Sequence, residues 1–122
     1  MKDAAKLSRE WMQKTFVKFG FSEPEAQVYL FLAKEGPHKA RDVAEALGIY
    51  KQRLYCILGK LREKGVVDSS SEFPAYFSAV VFEKVLNLFM EARIEQQEAL
   101  KANREELLST WKSLTKKYDE KS

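Results

Sequence analysis

The sequence predicts a mainly α fold with one small β-hairpin, ending in a long helix. Three observations predict it. All five glycines and all three prolines lie between Gly20 and Pro74, so a turn-rich part precedes a stretch, 75–122, with neither breaker. Apolar residues recur at helical spacing on both sides of that punctuation. A polar, Ser-rich tip, Asp68 to Glu72, separates two short β-prone runs.

The first element is a helix from about Asp3 to Phe19. Leu7 and Trp11, and Met12 and Phe16, lie four apart and give it a broad apolar face. Gly20 ends it. Ser22 then reads as an N-cap, with Glu25 completing a capping box and Pro24 in the first turn. The second helix, Glu23 to Glu35, carries Ala26, Tyr29, Leu30 and Ala33 on one stripe, widened by Val28, Phe31 and Leu32. Gly36-Pro37 stops it, and His38 falls in that loop, where it is expected to be exposed.

A short helix follows, about Ala40 to Leu47, with Val43, Ala44 and Leu47 inward. Only Gly48, Ile49 and Tyr50 separate it from a helix at about 51–64, whose apolar stripe is Leu54, Ile57, Leu58 and Leu61. Two helices joined by a tight Gly-containing turn form a helix-turn-helix. Val66-Val67 and Phe73 to Val80 flank the Ser-rich tip as the two strands of a hairpin, with Pro74 at an edge position. A hairpin directly after a helix-turn-helix is a wing.

From Val81 to about Tyr118 a single helix is expected. Its early stripe is Val81, Val85, Leu88, Phe89 and Ala92; its later one is Leu100, Leu107, Trp111, Leu114 and Tyr118. Such a helix spans about 55–60 Å. It is too long to lie wholly on a core of about eighty residues. The later stripe therefore needs a partner, and a second copy of the chain is the simplest one. The expected organisation is a DNA-binding domain over 1–80 and a dimerisation helix over 81–122.

Charge locates the candidate surface. The net +3 hides an uneven distribution. Residues 38–64 hold seven basic and three acidic residues, whereas residues 65–81 hold two acids and no base. The face of helix 51–64 opposite its apolar stripe shows Lys51, Gln52, Arg53, Cys56, Gly59 and Lys60. The N-terminal end of such a helix enters the major groove of DNA. Gln52 and Arg53 have the donor geometry to read base edges, while Lys51 and Lys60 neutralise phosphates. Lys39 and Arg41 open the preceding helix, where they reach the flanking backbone. Tyr50 and Tyr55 contact the backbone or pack at the groove; Tyr55 has a structural rival role beneath the turn. The wing tip, lacking any base, is the weak part of this surface. Cys56 reads either as an inert thiol or as a redox-sensitive one.

These features imply a sequence-specific regulator that binds double-stranded DNA as a homodimer. Two other readings remain open. One is a winged-helix protein-interaction module of the transcription machinery, favoured by the acidic wing. The other is a weakly specific chromatin-coating protein. No Gly-rich phosphate loop and no metal-spaced His or Cys cluster occurs, so neither an enzyme nor a cofactor or metal is expected. No small-molecule effector is evident. The N-terminus has no apolar run of signal-peptide type and no stretch long enough to span a membrane, so a cytoplasmic, nucleoid-associated protein is expected.

Residues 16–80 resemble the N-terminal domain of the TrmB-like transcriptional regulators, winged-helix proteins common in archaea. The resemblance rests on Phe19-Gly20-Phe21-Ser22, Glu25-Ala26 and Val28-Tyr29. It continues through Ala40, Val43-Ala44, Gly48-Ile49 and Leu54-Tyr55 to Lys64-Gly65-Val66-Val67, with Pro74, Phe77, Ala79 and Val80 at the wing's end. It implies DNA binding through helix 51–64 and dimerisation through the helix after the wing. The chain departs from the family pattern in three places. Lys39 stands where a Ser or Thr cap is usual, the wing lacks its usual Arg or Lys, and no sugar-binding domain is expected to follow. Sugar sensing is therefore not carried over. The N-terminal helix is longer than the family pattern requires and is expected to extend the dimer interface.

Overall fold

The computed structural model describes residues 2–115. The chain divides into two compact units, Met1–Leu86 and Asn87–Ser122.

In the first unit, α1 (Lys2–Lys18) and α2 (Glu23–Glu35) precede a two-residue strand, β1 (His38–Lys39). Then come α3 (Ala40–Leu47), α4 (Lys51–Glu63), β2 (Val67–Ser69) and β3 (Tyr76–Ala79). The next helix, α5 (Phe82–Ala102), begins in this unit and continues into the second; α6 (Arg104–Leu114) follows it. The fold is mainly α with a small antiparallel sheet, as the sequence predicts.

The α2 start is fixed by the expected capping box. Glu25 donates its backbone N–H to Ser22 Oγ at 3.2 Å, and Glu25 Oε1 accepts from the Ser22 backbone N–H at 2.7 Å. The core gathers around α2. Phe16 of α1 packs on Phe21 and Tyr29, with ring centroids 5.3 and 4.9 Å away. Ala26, Val28, Leu32, Val43 and Val85 are buried with them, and so is the whole α4 stripe of Leu54, Ile57, Leu58 and Leu61. Each fully buried leucine contributes about 1.5–3 kcal/mol of gross transfer free energy. That is what holds α4 with its polar face outward.

Glu25 is also buried, only 4% exposed. Lys64, the C-cap of α4, approaches its Oε2 at 3.6 Å, donates to the Gly20 carbonyl at 3.3 Å and sits 4.2 Å over the Phe21 ring. One ammonium thus joins the end of α1, the start of α2 and the end of α4. Burial pushes the Glu25 carboxyl up. The Ser22 hydrogen bonds and the Lys64 charge outweigh burial and hold it below its ordinary value.

Several expectations need correction. The hairpin is a three-stranded sheet in the order β1-β3-β2. His38 is not in an exposed loop. It pairs with Phe77 in β1, is half-buried, packs edge-on against Phe31 at 5.3 Å and places Nδ1 2.8 Å from the Gly36 carbonyl. Strand β3 begins at Tyr76, so Phe73 and Pro74 lie in the tip; their peptide bond is cis. The supposed apolar face of α1 is only partly buried: Phe16 is inside, whereas Leu7 and Trp11 are exposed. In α2, Ala33 is exposed and Leu30 and Phe31 are half-buried, because that side faces outward. Val81 and Ala92 of the early stripe are exposed as well.

The single long helix is interrupted at Asn103, which adopts φ −103°, ψ 8° between α5 and α6. The break occurs without Gly or Pro, and the Asn103 side chain makes no cap hydrogen bond to the start of α6. The interruption is one residue long. Asn103 still donates its backbone N–H to Ala99 O at 3.0 Å, and its carbonyl still accepts from Leu107 N–H at 2.8 Å.

Within the second unit, Leu100, Leu107, Trp111 and Leu114 are all exposed, Trp111 by 64%. Gln96, Ala99, Leu100, Asn103, Glu106, Leu107 and Thr110 line a shallow groove along one face. Tyr118 of the predicted stripe lies outside the described residues.

Candidate nucleic-acid interface

The helix-turn-helix is set by one glycine. Gly48 takes φ +66°, ψ 34°, which costs a side-chain-bearing residue strain, and the turn closes with Ile49 N–H donating to Ala44 O at 3.1 Å. Tyr50 becomes the N-cap of α4, and its carbonyl accepts from Leu54 N–H at 2.9 Å. Its ring is 87% exposed.

Burial of the α4 leucine stripe leaves Lys51, Gln52, Arg53, Tyr55, Cys56, Gly59 and Lys60 exposed. At Gly59 nothing lies within 4 Å of where a Cβ would sit, so this face is open and flat. Cys56 is an exposed free thiol beside it.

The helix starts differ in a telling way. Helix α2 has a full capping box, but the N-caps of α3 and α4, Lys39 and Tyr50, make no side-chain cap. Helix α4 has no acid in its first turn. Free N–H groups and the positive end of the helix dipole are left available, and that combination attracts anions.

Four of the predicted residues converge. Lys39, Arg41, Lys51 and Tyr55 line one cleft of about 380 Å³ with Ala40, Asp42, Glu45, Pro74 and Ala75. Lys39 is in the cleft because β1 pairs with the wing, placing it opposite Tyr76, with its ammonium 5.5 Å over that ring. Arg41 is paired with Glu45 at 3.4 Å, but both side chains are largely exposed. Such a pair is weak and leaves the guanidinium free to turn to another anion. Tyr55 does not pack beneath the turn; about half of it is exposed at the cleft. Tyr50, Gln52, Arg53 and Lys60 are exposed on the turn and α4 but do not line the cleft.

Sequence reasoning missed Pro74 and Ala75 as cleft residues. Their signal was the turn dipeptide itself, but its position beside Lys39 depends on sheet pairing. Among the described residues, no group of three or more His, Cys, Asp or Glu is placed to hold a metal. No described helix is long and apolar enough to cross a membrane.

Residues 16–83 match the family model described as sugar-specific transcriptional regulator TrmB. The chain belongs to the TrmB family. It is 40% identical over 101 residues to the HTH-type sugar sensing transcriptional regulator TrmBL1 of Pyrococcus furiosus. That match covers 83% of this chain but 29% of the relative, so the chain spans less than a third of that TrmB protein's length. Its family is one of transcriptional regulators rather than enzymes.

Solved structures share the fold. The ST1889 protein from Sulfolobus tokodaii superposes with a TM-score of 0.59 at 20% identity, covering 81% of this chain and 98% of that one. The transcriptional regulator Tm0710 from Thermotoga maritima gives 0.57 at 15% identity, with coverage of 98% and 93%. A MarR family protein from Bacillus stearothermophilus gives 0.53 at 13% identity, with coverage of 98% and 88%. This TrmB-family chain therefore shares the winged-helix architecture of those structures.

Proposed function

We propose that the chain is a transcriptional regulator that binds double-stranded DNA sequence-specifically as a homodimer. Helix α4 is the recognition helix in the major groove. The observation that carries this reading is the exposed α4 face, preceded by two helix starts without side-chain caps and rimmed by Lys39, Arg41 and Lys51. Arg53 and Gln52 read base edges. Lys39, Arg41, Lys51 and Lys60 contact phosphates, and Tyr50 and Tyr55 pack against the backbone. Residues 1–80 form the DNA-binding domain. Residues 81–122 pair two copies through Leu100, Leu107, Trp111, Leu114 and Tyr118, which also sets two recognition helices for a two-fold site.

The test is fluorescence anisotropy of the full chain with duplexes enriched from a random pool, across a salt series. Four phosphate contacts per protomer give eight per dimer and a log–log salt slope of about −7. Arg53→Ala should relax base preference at one position by about 1–3 kcal/mol. Lys51→Ala should weaken all duplexes alike and make the slope shallower by about 1 per contact removed. Absence of salt-dependent binding at low ionic strength would overturn the reading. Dense coverage with no preferred footprint would point to a coating protein instead.

A further inference from the structure

We propose that the wing acts on DNA as an apolar wedge, with Phe73 entering between base steps of the minor groove beside the α4 footprint. This rests on the DNA-binding reading above. Phe73 is 100% exposed, the most exposed of the large apolar side chains among the described residues. It stands at the apex of a closed loop: Ser70 N–H donates to Tyr76 O at 2.8 Å, and Tyr76 N–H donates to Ser70 Oγ at 2.9 Å. The chain just past β3 is anchored in turn, because Tyr29 Oη donates to Val80 O at 2.7 Å. The ring is thus presented on a fixed support, which limits the ordering cost of placing it against a partner.

Position and charge then select the partner and the mode of contact. Pro74 and Ala75, the next two residues, line the cleft that holds Lys39, Arg41 and Lys51. The tip therefore borders the groups that neutralise phosphates. The wing itself has no base between Gly65 and Val81, and Asp68 and Glu72 oppose a phosphate. It cannot grip the backbone electrostatically. What it offers is an aromatic ring and a proline, the side-chain types that minor-groove proteins insert to unstack a base step. Unstacking is easiest at flexible pyrimidine–purine steps, so the wedge adds a sequence preference outside the α4 footprint without a base-edge hydrogen bond. Glu72 weakens the approach of the tip and restricts engagement to sites where the step yields.

The experiment compares wild type, Phe73→Ala and Phe73→Leu as full chains on one duplex enriched from a random pool. Affinity, salt slope and duplex bending by end-to-end fluorescence transfer are measured together. Phe73→Ala should bind about tenfold more weakly and bend the duplex less, with an unchanged salt slope, because no phosphate contact is lost. Phe73→Leu should keep most of both, since a branched apolar side chain still wedges. The ring is fully exposed, so the folded state is not at risk. Salt-dependent wild-type binding that Phe73→Ala leaves unaltered in affinity and bending would overturn the wedge while leaving the DNA reading intact; the exposed ring would then serve a protein contact. Failure of wild type to bind any duplex at low salt would overturn both.

Discussion

Lys64 shows how much one side chain can organise. Its ammonium reaches the buried Glu25 carboxylate, the Gly20 carbonyl and the Phe21 face together. Removing it leaves Glu25 Oε2, which already accepts no hydrogen bond, without its nearest opposite charge. Lys64→Met should cost about 1–2 kcal/mol in urea denaturation, since Lys64 is partly exposed and solvent screens the pair. Combined with Glu25→Gln the loss should be clearly less than additive, because both changes remove the same contact. The sign of the pH effect follows from the lowered Glu25 carboxyl. Its contribution is fully present above the ordinary value of 4.5 and disappears as pH falls through the depressed folded value. A wild-type acid-denaturation curve that Glu25→Gln leaves unshifted would contradict this. Tyr29 differs: burial alone raises its hydroxyl to about 12, so it stays a neutral donor to Val80 O throughout the physiological range.

At the scale of elements, capping sets stability against binding. Lys39 occupies an N-cap with extended φ −74°, ψ 153°, the geometry an Asp cap requires, yet supplies no acceptor. Lys39→Asp should stabilise the fold by about 1 kcal/mol through capping and the helix dipole. The same change should weaken DNA binding, because it places a negative charge in the basic cleft. Thermal unfolding and anisotropy on one sample decide it; a variant that gains stability and keeps its affinity would show that the start of α3 does not meet phosphate.

Legibility at this scale divides by range. Helices α2, α3 and α4 can be read residue by residue from Ser22, Gly36, Gly48 and the leucine stripe, because caps and periodicity act within one or two turns. Strand β1 cannot. A two-residue strand has no period of its own and exists because β3 presents an edge to His38 and Lys39. Trp11 misled for a related reason. Helical spacing identifies an apolar face, but not whether the rest of the fold covers it. Asn103 lay between two apolar stripes and carried no breaker signal of the Gly or Pro kind.

At the scale of the whole molecule, apolar side chains remain uncovered in each unit. Leu7 and Trp11 are exposed in the first; Leu100, Leu107, Trp111 and Leu114 are exposed in the second. The proposed pairing of two copies would cover the latter group. Sedimentation should show a dimer for wild type at micromolar concentration. Trp111→Ala should shift it towards monomer, because truncating a central aromatic anchor typically removes about 2 kcal/mol or more of association free energy. A wild-type monomer under those conditions would refute the interface.

The sequence by itself determined the helix-turn-helix, the basic window at 38–64, the acid-only wing and the family. Each is written in neighbouring residues, through spacing, caps and local charge. Only the tertiary structure decided that Lys39 sits in a strand against the wing, that Lys39, Arg41, Lys51 and Tyr55 share a cleft with Pro74, and that Lys64 returns to Glu25. Those contacts join residues many positions apart. They form only when burial around α2 brings distant segments together, and no local pattern along the chain encodes that meeting.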